Sequence, residues 1–247
     1  MIYFSRLLEG SSPRVTTCDN SLVLVGKLPF KINEKVGIYM GFLDKLFGRS
    51  NKDKEETVVK KEKLKIAIVQ GSVREGRNGE AVANWVYDFA TKRSDDVEYE
   101  VVDLAKYDLP MLGEELVEAN HVGSETAIKE WSEKMASFDG YIFVTPEYNH
   151  AVGGALKNAL DFLKQEVANK TAAFVGYGSL GGTRAHENLR LILGELQVAD
   201  VQTALTFSLM TDFENMSEFK PAEYHTANAN GMFDQLISWT GAFKSLR

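Results

Sequence analysis

Three stretches of this 247-residue chain combine glycines with groups that hold anions or flat rings. The first is Gly71-Ser72-Val73-Arg74-Glu75-Gly76-Arg77-Asn78-Gly79, which runs into a helical pattern. Glycines let the backbone turn tightly and approach a ligand. The unpaired N–H groups at a helix start carry partial positive charge and suit an anion. Ser72 adds a hydroxyl, and Arg74 and Arg77 add charge-assisted donors for phosphate. The same composition also serves a plain strand-to-helix turn.

Two common nucleotide motifs fail on these residues. A dinucleotide fingerprint needs G-x-G-x-x-G, and Val73 stands at its second glycine. A P-loop needs G-x-x-x-x-G-K-[ST]. Gly71 and Gly76 have that spacing, but Arg77 and Asn78 replace the lysine and the hydroxyl. The apolar strand that follows later ends in Thr145, where magnesium chemistry would need an aspartate.

The second stretch is Thr145-Pro146-Glu147-Tyr148-Asn149-His150, followed by Gly153-Gly154. Pro146 stiffens it, Tyr148 can pack on a ring, and backbone groups can meet the ring's edge. Glu147 and His150 invite an acid–base reading, against which stands the more ordinary role of holding a loop in place. The third stretch, Gly178-Ser179-Leu180-Gly181-Gly182, permits close backbone contact with a ligand or simply a flexible crossover.

Elements of regular structure have to bring these stretches together. Apolar runs predict strands at Leu64–Gln70, Val97–Leu104, Gly140–Thr145, Thr171–Tyr177 and Val201–Thr206. Helical periodicity predicts Glu80–Thr91, Glu125–Ser137, Gly154–Leu163, Thr183–Leu196 and Met232–Ser245. Alternating strands and helices predict an α/β fold, with a parallel sheet covered on both faces and right-handed crossovers. In a doubly wound five-stranded sheet of order 2-1-3-4-5, ligands sit beyond the carboxyl ends of the strands, at the switch point between strands one and three. The three stretches follow strands one, three and four.

The rest of the chain is organised differently. Residues 1–60 carry ten Lys/Arg and seven Asp/Glu, while the remainder carries 18 basic and 28 acidic residues, so a mildly basic front joins an acidic body. Net charge is −7, which argues against nonspecific nucleic-acid binding. With a single cysteine, Cys18, an intrachain disulfide is excluded, and four scattered histidines make a Cys/His zinc site an unsuitable reading. No run approaches the roughly 20 apolar residues that span a bilayer, and Arg6 and Glu9 interrupt any secretory core. The expected compartment is the cytoplasm.

Residues 1–39 have little regular pattern. Ser21–Val25 is a short strand candidate without an obvious partner, and Met40 is a candidate start that would leave 1–39 outside the mature protein. In Gly41–Phe47, Phe42, Leu43, Leu46 and Phe47 fall on one helical face. That face predicts either docking to a partner or to the inner membrane surface, or packing on the chain's own domain. Residues 51–63 read as a charged tether.

The motifs Gly71-Ser72-Val73-Arg74, Pro146-Glu147-Tyr148-Asn149, Gly153-Gly154-Ala155-Leu156-Lys157-Asn158-Ala159-Leu160-Asp161 and Gly178–Gly182 resemble the NADPH-dependent FMN reductase family, flavodoxin-like enzymes that include quinone and azo-dye reductases. The resemblance spans about Leu64 to Arg247. It implies that Ser72, Arg74, Arg77, Asn78 and Gly79 hold the FMN phosphate. It also implies that Pro146, Glu147, Tyr148 and Asn149 line the flavin ring, and that Gly178, Ser179, Leu180, Gly181 and Gly182 close its other side. Many relatives have Ser where Arg77 stands, Asn where Gly79 stands and Pro where Gly153 stands. The implied activity is hydride transfer from NADPH or NADH to FMN, and on to a quinone, azo compound, free flavin or metal ion, with no catalytic side chain and no metal site. The implied assembly is a homodimer or homotetramer. A flavodoxin-like electron carrier and a flavin-binding regulatory module are the competing readings.

Overall fold

The structure is a computed structural model that describes residues 15–18, 21–24, 62–113 and 121–247. The chain divides into two compact units, Met1–Val59 and Lys60–Arg247. In the first, strand β1 (Val15–Cys18) pairs antiparallel with β2 (Ser21–Leu24), so the strand candidate at Ser21 does have a partner. That partner, Val-Thr-Thr-Cys, is β-branched but short, and the sequence offers no alternation to reveal it. The segment Gly41–Phe47 and most of the tether lie outside the described residues.

The second unit carries β3 (Leu64–Gln70), α1 (Gly79–Thr91), β4 (Val97–Asp103), α2 (His121–Ala136), β5 (Gly140–Tyr148) and β6 (Ala151–Val152). It continues with α3 (Gly154–Asp161), β7 (Thr171–Gly178), α4 (Thr183–Glu195), β8 (Ala199–Asp200), β9 (Leu205–Ser208), β10 (Phe213–Glu214), β11 (Glu218–Phe219) and α5 (His225–Lys244). The main sheet runs β4-β3-β5-β7-β8, with β9 also on β7, every one of these pairs being parallel. This is the doubly wound order 2-1-3-4-5, with the fifth position filled by two pieces. β6 adds a short antiparallel pair to the end of β5.

Both faces of the sheet are covered, which is why β3, β5 and β7 read as nearly unbroken apolar runs, whereas edge strand β4 alternates. Ala67, Val69, Tyr141, Phe143 and Phe174 pack against Trp131, Met135, Leu156, Leu160, Leu189 and Leu193 on one face. Ile66, Ile68, Ile142, Val144, Ala173 and Val175 pack against Val82, Val86, Met232, Phe233 and Leu236 on the other.

Three departures from the sequence expectations have physical reasons. The fifth strand is split because side chains take its backbone groups. Arg190 donates to the carbonyls of Val201 (3.1 Å) and Gln202 (3.3 Å), and Thr203 N–H donates to Gln235 Oε1 (3.0 Å). β5 runs on past Thr145 to Tyr148, because Glu147 and Tyr148 pair with Val152 and Ala151 across a two-residue turn. α5 starts at His225, seven residues before Met232, on a polar stretch in which only His225 and Ala229 are buried before Met232.

Candidate functional site

At the carboxyl end of β3, Gly71 N–H donates to Val144 O (2.9 Å), so the chain leaves the sheet only after Gly71. Leu156 presses on Gly71 so closely that a Cβ there would lie 2.6 Å from Leu156 Cδ2. Ser72 is buried, whereas Val73 and Arg74 are exposed. Arg74 makes no ion pair with a described residue, and its backbone N–H donates to Ser72 Oγ at 3.4 Å. Its guanidinium is therefore available to an anion.

Arg77 is used differently. Its Nη1 donates to Ser72 O (2.9 Å) and its Nη2 pairs with Asp103 Oδ2 (2.7 Å), with side chains only 15% and 16% exposed. Asp103 Oδ1 in turn accepts Ala105 N–H. Arg77 thus ties the loop to the end of β4. Asn78 Nδ2 donates to Met216 O (2.8 Å), tying the loop to the turn between β10 and β11. Gly79 begins α1 against the phenol of Tyr177, where a Cβ would sit 2.5 Å from Tyr177 Oη. No side chain caps the N-terminus of α1. A buried hydroxyl, an unpaired arginine and an open helix start are the donor set a phosphate monoester requires, so the FMN phosphate fits this loop.

The second stretch forms the end of β5 and a tight hairpin. Asn149 (φ 49°) and His150 (φ 68°) both adopt the left-handed conformation that a two-residue hairpin turn demands. Tyr148 is 41% exposed. The Pro146 carbonyl accepts the Thr145 hydroxyl at 2.9 Å. Glu147 turns to the start of α4. Its Oε2 accepts the backbone N–H groups of Arg184 (2.9 Å) and Ala185 (3.4 Å), and its Oε1 pairs with the Arg184 guanidinium. Burial works to raise its pKa, but the hydrogen bonds from the Arg184 side chain, from both backbone N–H groups and the Arg184 charge hold it below the usual carboxylate range. His150 Nε2 meets Arg184 Nη1 at 2.6 Å. Both members of the acid–base pair suggested by the sequence therefore close on one arginine.

In the third stretch, Gly181 (φ 71°) and Gly182 (φ 80°) are left-handed and tightly packed. A Cβ on Gly181 would lie 2.7 Å from Thr206 Cβ, and one on Gly182 2.9 Å from Gly176 Cα. Gly178 O accepts from Gly181 and Leu209 N–H, and Ser179 O accepts the Ser208 hydroxyl at 3.0 Å. Leu180 projects outward, 62% exposed. His186 lies behind the loop. Its burial, helped by nearby Arg190, lowers its pKa to about 4 and keeps it neutral. The buried Asp212–His225 pair (2.8 Å) fastens the neighbouring turn, with Asp212 Oδ2 accepting Ser208 N–H at 2.9 Å.

The three predicted stretches thus gather at one edge of the sheet. Sequence reading missed Asp103, Tyr177, Arg184 and Met216. Asp103 and Tyr177 are hidden as ordinary strand residues and Arg184 as a helix-start residue. Met216 contributes only a backbone carbonyl, which leaves no sequence signal.

The family described as NADPH-dependent FMN reductase matches residues 64–212. An NAD(P)H-dependent FMN reductase from Nectria sp is 40% identical over 157 residues, covering 60% of this chain and 78% of the relative. A quinone reductase from Escherichia coli is 32% identical over 139 residues, covering 53% and 70%. The fold is shared with a flavoenzyme NAD(P)H:(acceptor) oxidoreductase from Paracoccus denitrificans (TM-score 0.57, 19% identity), over 73% of this chain and 98% of that one.

Proposed function

The chain belongs to the NADPH-dependent FMN reductase family, and we propose that it seats FMN on the three loops at the carboxyl edge of its sheet. It is an NAD(P)H-dependent flavin oxidoreductase. When bound, FMN supplies the redox chemistry, taking hydride from NAD(P)H and delivering it to an acceptor. The observation that carries the seating is the open start of α1 beside buried Ser72 and unpaired Arg74.

In this reading Ser72, Arg74 and the first N–H groups of α1, from Gly79 on, contact the phosphate. Arg77 and Asn78 hold the loop in shape through Asp103 and Met216. Pro146, Tyr148 and Asn149 border the ring, and Glu147 fixes them to α4 through Arg184. Gly178–Gly182 form the opposite wall. The exposed faces of Tyr148 and Leu180 suit a flat acceptor such as a quinone, azo compound or free flavin, and metal ions are a further acceptor class.

The proposed assembly is a homodimer or homotetramer. It is supported by Leu191 of α4, an apolar side chain 78% exposed. Among the described residues no helix is long and apolar enough to cross a membrane. A single cysteine fits the proposed cytoplasmic setting.

The test is reconstitution with FMN, followed by NADPH and NADH oxidation with a quinone, an azo dye and free FMN. Steady turnover with at least one acceptor is expected. Flavin loading without turnover would point to an electron carrier, and failure to load FMN would overturn the seating.

A further inference from the structure

We infer that Ser208 is a positioning residue: by holding the Ser179 carbonyl, its hydroxyl turns the Leu180 N–H toward the carbonyl edge of the flavin ring. The inference rests on the seating proposed above and adds a residue from outside the three glycine-rich stretches. Ser208 is the last residue of β9 and stands in register with Gly178, the last residue of β7. Every polar group it carries is engaged. Its hydroxyl donates to Ser179 O (3.0 Å) and accepts the Met210 N–H (3.2 Å). Its N–H donates to Asp212 Oδ2 (2.9 Å), and its carbonyl accepts the N–H groups of Thr211 (3.2 Å) and Asp212 (2.8 Å). Asp212 is itself buried, with Oδ1 paired with His225 Nε2 (2.8 Å) and Oδ2 also accepting the Thr211 hydroxyl (3.0 Å). The Ser208 hydroxyl is thus the tip of an arm that starts at α5 and closes on the wall.

The consequence follows from the geometry of one peptide. The Ser179 C=O and the Leu180 N–H belong to the same planar trans unit and point in opposite directions. β7 lies between β9 and β5 in the sheet. A Ser179 carbonyl drawn toward Ser208 on the β9 side therefore sends the Leu180 N–H toward the β5 side, where the Pro146–Asn149 stretch borders the ring in the proposed seating. The other carbonyls of this turn are also taken. Gly178 O accepts from Gly181 (3.1 Å) and Leu209 (2.9 Å), and Leu180 O accepts the Thr183 hydroxyl (3.5 Å). The N–H groups of Ser179 and Leu180 have no acceptor among the described residues. With its carbonyls occupied and two N–H groups open, the wall is a donor edge. Flavin ring carbonyls accept such donors, and hydrogen bonds there stabilise the negative charge that reduction places on the ring. Only the Ser179 carbonyl is held by a side chain remote in sequence, 29 positions away, so a change at Ser208 releases this one peptide.

The experiment titrates flavin-free protein with FMN and with riboflavin by fluorescence quenching, and records the carbonyl stretching bands of bound FMN by infrared spectroscopy. The proteins are wild type, Ser208→Ala, Ser208→Thr and Ser208→Val. Ser208→Ala is expected to weaken both flavins by the same factor, roughly fivefold, as for one lost hydrogen bond, and to move a carbonyl band to higher frequency. Ser208→Thr keeps the hydroxyl and should stay within about twofold of wild type with its bands unmoved. Ser208→Val has the shape of threonine without the hydroxyl and should repeat the alanine result. A loss confined to FMN, a weakened affinity with unmoved bands, or a valine variant indistinguishable from the threonine one overturns the inference. If Ser208→Ala does not fold, the threonine–valine pair decides by the same criteria. Wild-type protein that loads neither flavin would instead overturn the seating itself, a separate result that needs no variant.

Discussion

Helices α1 and α4 both start on glycine-rich loops at the same edge of the same sheet, yet their N-termini are in opposite states. The start of α1 has no side-chain cap, and Arg74 beside it is unpaired. The start of α4 is already filled by the Glu147 carboxylate, which takes the N–H groups of Arg184 and Ala185 and the Arg184 guanidinium. Glu147 occupies at α4 the place that an external anion would occupy at α1. Glycines therefore serve two ends. In Gly71–Gly79, the proposed phosphate seat, they shape the loop around an uncapped helix start. At Gly181 and Gly182 they let the chain pass Thr206 and Gly176 at distances no side chain would allow. A glycine-rich loop becomes an anion site only where the protein has not supplied the anion.

The contrast is broken most severely at Glu147. Glu147→Ala removes a carboxylate whose side chain is 6% exposed, takes away the Arg184 ion pair and uncaps α4, and should cost about 3 kcal/mol in urea unfolding. Acid attacks the same joint. His186 titrates near 4 in the fold and near its ordinary 6.5 when unfolded. Between those values the unfolded chain binds more protons, so stability falls as pH drops from 6.5 and the loss is complete below about 4, on the order of 3 kcal/mol. Glu147, held below the usual carboxylate range, adds stability above that range that is lost as pH falls through its folded value. Thermal melting from pH 7 to 4 checks this, and His186→Leu should flatten the upper part of the profile.

Gly181→Ala combines a left-handed backbone with a contact 2.7 Å from Thr206 Cβ, and should cost about 2 kcal/mol by the same unfolding assay. The smallest stability change belongs to the open loop. Arg74→Ala should leave stability within about 0.5 kcal/mol, yet weaken FMN about tenfold, read by fluorescence titration.

The strands were legible because both sheet faces are buried, and the three loops were legible because topology concentrates unusual residues at one edge. What the loops do was less legible. Arg77 reads as a phosphate ligand until Asp103, 26 positions away, is seen to hold it. Glu147 reads as an acid or base until Arg184, 37 positions away, closes on it. Tyr177 sits in an apolar run where a tyrosine passes for core. In each case the deciding partner is remote in sequence, and residue type alone cannot tell a group that binds a ligand from one that satisfies a neighbour. The broken fifth strand has the same origin, since Arg190 and Gln235 take backbone groups that local pattern assigns to the ladder.

A matched pair of charge insertions tests the comparison most directly. Val73 in the open loop and Leu180 in the filled one are both exposed apolar side chains. Val73→Asp sets a negative charge against the phosphate and should weaken FMN at least tenfold while changing riboflavin little. Leu180→Asp should change FMN and riboflavin by the same factor, because in the proposed seating it borders only the ring. An equal change for both flavins in Val73→Asp, or a loss confined to FMN in Leu180→Asp, would contradict the assignment of the phosphate to Gly71–Gly79.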